Sequence, residues 1–140
     1  MNAKTITIVD DDPLNAVLLA DVLRYHGYDV RCIADGDTFL ASLDDAMPAL
    51  VLLDIQMPGK SGVEVLIAMR ERALRAGTKV MALTASVMPH EIARFAALGF
   101  DDYHAKPVDI ERLLAQIRAL VGPGADAPPT NNAAPPGTGS

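Results

Sequence analysis

The chain has 140 residues, half of them hydrophobic and 21% charged, which is the balance of one soluble globular domain able to bury a core without metal or disulfide staples. Twelve basic against eighteen acidic residues give a net charge of −6, which argues against binding bare nucleic acid or an anionic membrane. One cysteine excludes an internal disulfide, no apolar run reaches the ~20 residues of a bilayer span, and the polar start at Met1–Thr5 does not read as a signal peptide, so no membrane insertion and a cytoplasmic location are expected.

In chain order, Thr5–Val9 is the first apolar run of strand length, and it ends in Asp10-Asp11-Asp12. Asp12-Pro13 reads as an N-cap followed by proline at the first helical position. Leu14, Val17, Leu18, Val22 and Tyr25 recur at helical spacing up to Gly27. Tyr28–Ile33 is a second strand, with Cys32 read as a small core residue, and Ala34-Asp35-Gly36 a turn into a helix over 36–45. Ala49–Leu53 is continuously apolar and ends in Asp54, and a helix fits 62–76. Lys79–Leu83 ends in Thr84, and a helix fits 88–98. Phe100–His104 leads to Lys106-Pro107. Asp109 then caps a last helix whose stripe is Ile110, Leu113, Leu114, Ile117 and Leu120.

Three histidines, His26, His90 and His104, lack metal-ligand spacing and read as surface or cap residues; Asp101-Asp102 reads as a solvated loop, and Arg70, Glu71, Arg72 and Arg75 as a solvated helix face. Residues 122–140 hold five of the ten prolines and four of the ten glycines, with Asp126 as the one charge. Such a segment cannot bury enough apolar surface to offset its ordering entropy, so residues 1–121 are expected to fold and 122–140 to form a disordered tail or a linker stub.

Five alternating strand–helix units imply an α/β fold: a flavodoxin-like, doubly wound, five-stranded parallel sheet with five helices, (βα)5. Ligands of such sheets sit at the carboxyl ends of the strands. Those ends here are Asp10-Asp11-Asp12, Asp54, Thr84 and Lys106-Pro107. Clustered carboxylates repel one another unless a cation joins them, and oxygen-only ligands favour a hard cation such as Mg²⁺. Such a metal would neutralise phosphoryl oxygens during transfer to a carboxylate nucleophile.

These residues resemble the receiver domain of two-component response regulators over about residues 4–120. The resemblance rests on Ile6-Thr7-Ile8-Val9-Asp10-Asp11-Asp12-Pro13-Leu14-Asn15, Asp54-Ile55-Gln56-Met57-Pro58-Gly59 with Ser61-Gly62, Ala82-Leu83-Thr84-Ala85 and Lys106-Pro107. It implies strand order 2-1-3-4-5. It implies Asp54 as phosphoacceptor from a histidine kinase or histidine phosphotransfer protein, and Asp10, Asp11, Asp54 and the backbone carbonyl of Gln56 as Mg²⁺ ligands. Lys106, before a cis proline bond, would pair with the phosphoryl oxygens, and Thr84 and Tyr103 would form the switch. Gln56 and Ser86 occupy positions that influence phosphate lifetime in the family. The family's output surface, its fourth helix, fifth strand and fifth helix, corresponds to about residues 88–120, with Arg94, Asp101, His104, Arg112 and Arg118 as exposed members.

The expected protein is a stand-alone receiver of the chemotaxis, sporulation-relay or DivK type, without a fused output domain. It signals by binding a downstream protein or passing phosphate onward, and it acts on no nucleic acid. It is a signalling protein rather than an enzyme, catalysing only its own aspartyl phosphorylation and slow dephosphorylation. Two rivals use the same residues. A haloacid-dehalogenase-like phosphatase would place its nucleophile at the first strand and leave Asp54 without a role. A receiver-like interaction module would not be phosphorylated.

Overall fold

The computed structural model describes residues 4–43, 47–71, 77–85 and 87–124. The elements are β1 Thr5–Val9, α1 Pro13–Tyr25, β2 Asp29–Ile33, α2 Gly36–Ser42, β3 Leu50–Asp54, α3 Gly62–Glu71, β4 Lys79–Thr84, α4 Pro89–Leu98, β5 Asp102–Ala105 and α5 Ile110–Val121. All strand pairs are parallel, in the order β2-β1-β3-β4-β5. The expected α/β sheet and its order are both present.

Period-two alternation divides each central strand between two helical layers. Leu50 and Leu52 of β3 face a core shared with Ile6, Ile8, α1, α5 and Met81, whereas Val51 and Leu53 face a core shared with Val9, Val80, Ala82, α2, α3 and Phe95 of α4. All four of these β3 residues are fully buried, which is why the run reads as continuously apolar. Each such side chain contributes roughly 1.5–3 kcal/mol through burial. Register then aligns the strand ends: Val9 pairs with Leu53, Asp54 with Leu83, and Thr84 with Ala105.

β2 and β5 begin later than their apolar runs suggest, for one reason. Gly27 and Gly99 take positive φ of 90° and 106°, and the next amides, of Tyr28 and Phe100, donate back to the carbonyls of Leu23 and Phe95 at 3.2 and 3.1 Å. Tyr28 and Phe100 therefore close the ends of α1 and α4 rather than open β2 and β5. Phe100 packs edge-on against Phe95, with ring centroids 5.6 Å apart.

Burial decides which side of α1 packs, and it overturns two expectations, for Cys32 and His104. Leu14, Val17, Leu18 and Tyr25 stand 52–70% exposed, while α1 buries Ala16, Leu19, Ala20 and Leu23. Cys32 is exposed, not a core residue, because β2 is an edge strand whose outer flank is covered by no element among the described residues; its thiol lies 3.7 Å from the Ala16 carbonyl. His104 is buried beneath α5 rather than lying on the surface. His26 is the α1 cap residue and His90 is exposed, as expected. Asp101 is exposed but ordered, its carboxylate accepting from the Val80 amide at 2.8 Å, and Asp102 already belongs to β5.

The sequence predicts helices running to residues 45 and 76; Leu43 caps α2, and residues 44–46 and 72–76 lie outside the described residues. Gly122 and Pro123, the start of the expected tail, accept from Tyr28 Oη at 2.8 Å and Lys4 Nζ at 3.0 Å. Residues 125–140 lie outside the described residues. Among those described, no helix is long and apolar enough to cross a membrane.

Candidate functional site

The acidic cluster forms where β1 and β3 end side by side. Asp10, Asp11 and Asp54 each offer a carboxylate oxygen, and these oxygens lie within 4.8 Å of one another. Asp10 and Asp54 are each about 2% exposed, whereas Asp11 is open to solvent. Three converging carboxylate oxygens with one open side fit a hard divalent cation such as Mg²⁺.

The two buried acids are held differently. Asp10 accepts from the Asp12 amide at 2.9 Å and from Asn15 Nδ2 at 2.7 Å. Asp54 accepts from the Gln56 amide at 3.2 Å and pairs with Lys106 Nζ at 3.1 Å. Burial lifts the Asp54 carboxyl above its ordinary range; the hydrogen-bonded Lys106 ammonium pulls it back in part, and the Asp10 charge adds to the rise.

Local sequence explains these positions. Asp12 bonds the amides of Leu14 and Asn15 at 3.1 and 3.3 Å, so α1 starts immediately beyond the acidic pair and turns Asn15 back onto Asp10. Asn15 carried no role in the sequence reading; its signal is an amide five residues after Asp10, within the first turns of a capped helix. Beyond Asp54 the chain must turn sharply, and Gly62 closes the turn by donating to the Ile55 carbonyl at 3.0 Å. A Cβ at Gly62 would stand 2.5 Å from the Asp54 carbonyl oxygen and 2.9 Å from Ile55 Cα, so only glycine fits there.

Thr84 and Lys106 share this edge. Thr84 ends β4 and is buried at 3% exposure. The Lys106 amide donates to the Thr84 carbonyl at 2.8 Å, which ties the lysine backbone to β4. The Lys106–Pro107 bond is cis. Tyr103 is half-buried against the second core. Gln56 lies on the loop after Asp54 with its side chain exposed. Ser86 lies outside the described residues. Arg94, Asp101, Arg112 and Arg118 are exposed, and His104 is the member of that expected surface that is not.

Comparison with known proteins agrees with this arrangement. The model of the response regulator receiver domain matches residues 6–118. The DNA-binding response regulator MtrA of Mycolicibacterium smegmatis is 38% identical over 125 residues, which is 88% of this chain and 53% of the relative. The probable transcriptional regulatory protein TcrX of Mycobacterium tuberculosis is 33% identical over 117 residues, 84% of this chain and 49% of the relative. The chain thus spans about half the length of these curated relatives. Among solved structures, chemotaxis protein CheY4 of Vibrio cholerae superposes with a TM-score of 0.79 at 26% identity, covering 85% of this chain and 99% of that one. A CheY-like receiver domain protein from Methanospirillum hungatei gives 0.76 at 30% identity, covering 84% and 93%. Receiver domains bind Mg²⁺ at an acidic pocket of this kind and interact with histidine kinases or phosphotransfer proteins. With the matching sheet order, the acidic edge and a family model covering residues 6–118, the chain belongs to the response regulator receiver domain family.

Proposed function

We propose that this chain is the phosphoacceptor switch of a two-component system or phosphorelay, with Asp54 receiving a phosphoryl group from a phosphohistidine protein. The observation that carries the reading is Lys106 Nζ standing 3.1 Å from Asp54 Oδ1, within a set of three carboxylates whose oxygens lie within 4.8 Å. A carboxylate oxygen of Asp54 attacks phosphorus as the donor's nitrogen–phosphorus bond breaks, and the departing imidazole takes a proton from solvent. Asp10, Asp11, Asp54 and the Gln56 carbonyl would hold Mg²⁺, which supplies charge neutralisation for the phosphoryl oxygens. Lys106 adds a second positive charge to the same oxygens, and Thr84 a hydroxyl. Thr84 and Tyr103 shift together on phosphorylation, to the extent that the phosphoryl group contacts the two states differently. The chain modifies its own carboxylate and no separate substrate, so it is a signalling protein rather than an enzyme.

The donor docks on α1. A phosphohistidine must reach Asp54 past the β1–α1 loop, and α1 leaves that loop with Leu14, Val17 and Leu18 exposed. A groove of about 290 Å³, lined by Asn15, Leu18, Val22, Val108 and Ile110, continues this apolar surface to the start of α5. Output runs through the α4–β5–α5 face, where a groove of about 180 Å³ lined by Ile92, Phe95 and Tyr103 adjoins the switch tyrosine. A stand-alone receiver that binds a separate protein is one form of that output. The greater length of MtrA and TcrX, and the DNA-binding role of MtrA, favour a second, a fused output domain that contacts DNA while the acidic receiver does not.

Incubation with a small phosphodonor and Mg²⁺, followed by intact-mass measurement, tests the reading. One phosphoryl group is expected on the wild type and none on Asp54→Asn. Turnover retained in Asp54→Asn and lost in Asp10→Asn would identify a phosphatase instead. No adduct with small donors or a cognate kinase would leave a pure interaction module.

A further inference from the structure

His104 is a buried imidazole, 1% exposed, that the phosphoryl chemistry above does not use. It pairs with Leu83 across the sheet and lies on the face covered by α5. Both ring nitrogens are engaged. Nδ1 lies 2.6 Å from Gln116 Oε1, and Nε2 accepts from the Asp109 amide at 3.1 Å.

These partners assign the tautomer. The Asp109 amide can only donate, so Nε2 presents its lone pair and the proton sits on Nδ1. Gln116 imposes the same choice from its other end. Its Nε2 donates to Asp102 Oδ2 at 3.0 Å and to the Tyr103 carbonyl at 2.8 Å, two groups that accept, which turns Oε1 toward the ring. The neutral ring with its proton on Nδ1 satisfies every polar atom of the pair.

The ring also closes a loop. His104 and Asp109 bracket the segment that carries Lys106. The Lys106 amide is fixed to the Thr84 carbonyl at 2.8 Å, and its ammonium reaches Asp54 at 3.1 Å. Asp109 is the N-cap of α5, accepting from the Arg112 amide at 3.3 Å. One contact, His104 Nε2 to the Asp109 amide, therefore sets where the segment ends and where α5 begins.

We propose that His104, oriented by Gln116, is a positioning residue for Lys106: its ring closes the 104–109 segment and so holds the ammonium at Asp54. The inference rests on the reading of Asp54 as phosphoacceptor. Two amide substitutions separate the two ring contacts. His104→Gln carries an amide oxygen out to the Nε2 position and keeps the bond to Asp109, while His104→Asn reaches only the Nδ1 position and keeps Gln116 alone.

The test reads the rate of phosphorylation by phosphoramidate, the Mg²⁺ affinity and the unfolding midpoint of each full-length variant. His104→Asn is expected to slow phosphorylation about tenfold at unchanged Mg²⁺ affinity, because a displaced charge costs rate while the three acids stay in place. His104→Gln is expected to stay within about threefold of wild type. In a Lys106→Ala background, adding His104→Asn should change the rate less than about twofold, since one residue acts through the other. Equal slowing by both amides, or a full loss persisting without Lys106, overturns the inference and leaves His104 as packing. Should the variants not fold, ¹⁵N NMR of the wild-type ring decides: a proton on Nδ1 supports the closure, and a proton on Nε2 overturns it. A wild type that accepts no phosphoryl group overturns the Asp54 reading, whereas the ring tautomer reports on the closure independently.

Discussion

α1 and α5 cover the same face of the sheet, share one core cluster and both start on an aspartate cap, yet they present opposite surfaces to solvent. α5 buries Leu113, Leu114 and Ile117 and tucks Ile110 and Leu120 against the same core. Its outer side is polar, with Glu111, Arg112 and Arg118 exposed. α1 buries Ala16, Leu19, Ala20 and Leu23 and leaves Leu14, Val17, Leu18 and Tyr25 outside. Two alanines on the inner side of α1 allow close packing on the strands beneath. Exposed apolar side chains at the start of α1, beside the acidic site, are what the proposed docking of the phosphodonor on α1 rests on.

The sharpest way to break this comparison is by stability. Leu113→Ala in α5 and Leu23→Ala in α1 should each cost about 2–5 kcal/mol in urea unfolding, whereas Leu18→Ala should stay within about 0.5 kcal/mol. Equal losses at Leu18 and Leu23 would mean that the outer face of α1 is packed rather than displayed.

The next effect is kinetic. Leu18→Asp should slow phosphorylation by the cognate kinase about tenfold or more, the loss of one interface anchor, while leaving the reaction with a small phosphodonor unchanged. Arg118→Ala, outward on α5, should change neither. Slowing by Arg118→Ala alone would move the donor's docking site from α1 to α5.

The caps differ more finely. Asp109→Ala should lower stability by about 1 kcal/mol. Asp12→Ala should cost less in metal-free buffer, because the same change removes a negative charge beside Asp10 and Asp11. Adding Mg²⁺ should bring the two losses closer together, as read from paired thermal melts.

The smallest effect follows pH. The folded-state pKa of Asp54 is raised by burial, so the native state holds a proton that the unfolded state has already released. Stability from this group is therefore present at low pH and is lost as pH rises from the ordinary carboxylate value through the folded one. In metal-free buffer, Asp54→Asn should become increasingly more stable than wild type across that window. Mg²⁺ should narrow or reverse the gap at neutral pH by binding the native acids. A gap independent of both pH and Mg²⁺ would mean that burial does not strain Asp54.

Much of the site was legible before folding because it lies at the ends of strands. Asp10, Asp54, Thr84 and Lys106 each follow a short apolar run, and parallel strands bring such ends to one edge. The Schellman turns at Gly27 and Gly99 were less legible, since they take a bulky residue from a strand-like run into the end of a helix. Asn15 and His104 were missed as partners because their roles depend on what faces them: the Asp10 carboxylate in one case, and Gln116 with the Asp109 amide in the other.

By itself, then, the sequence determined what is periodic or terminal along the chain: five strand–helix units, two aspartate caps, the helix stop at Gly27 and the acids, hydroxyl and ammonium at the strand ends. Tertiary structure decided what depends on neighbours far along the chain. It selected the inner face of α1 from two apolar faces of compatible period, opened Cys32 on an edge strand, and buried His104 beneath α5. The physical reason is that backbone periodicity is local, whereas burial and polar pairing belong to surfaces that exist only after the helices have docked on the sheet.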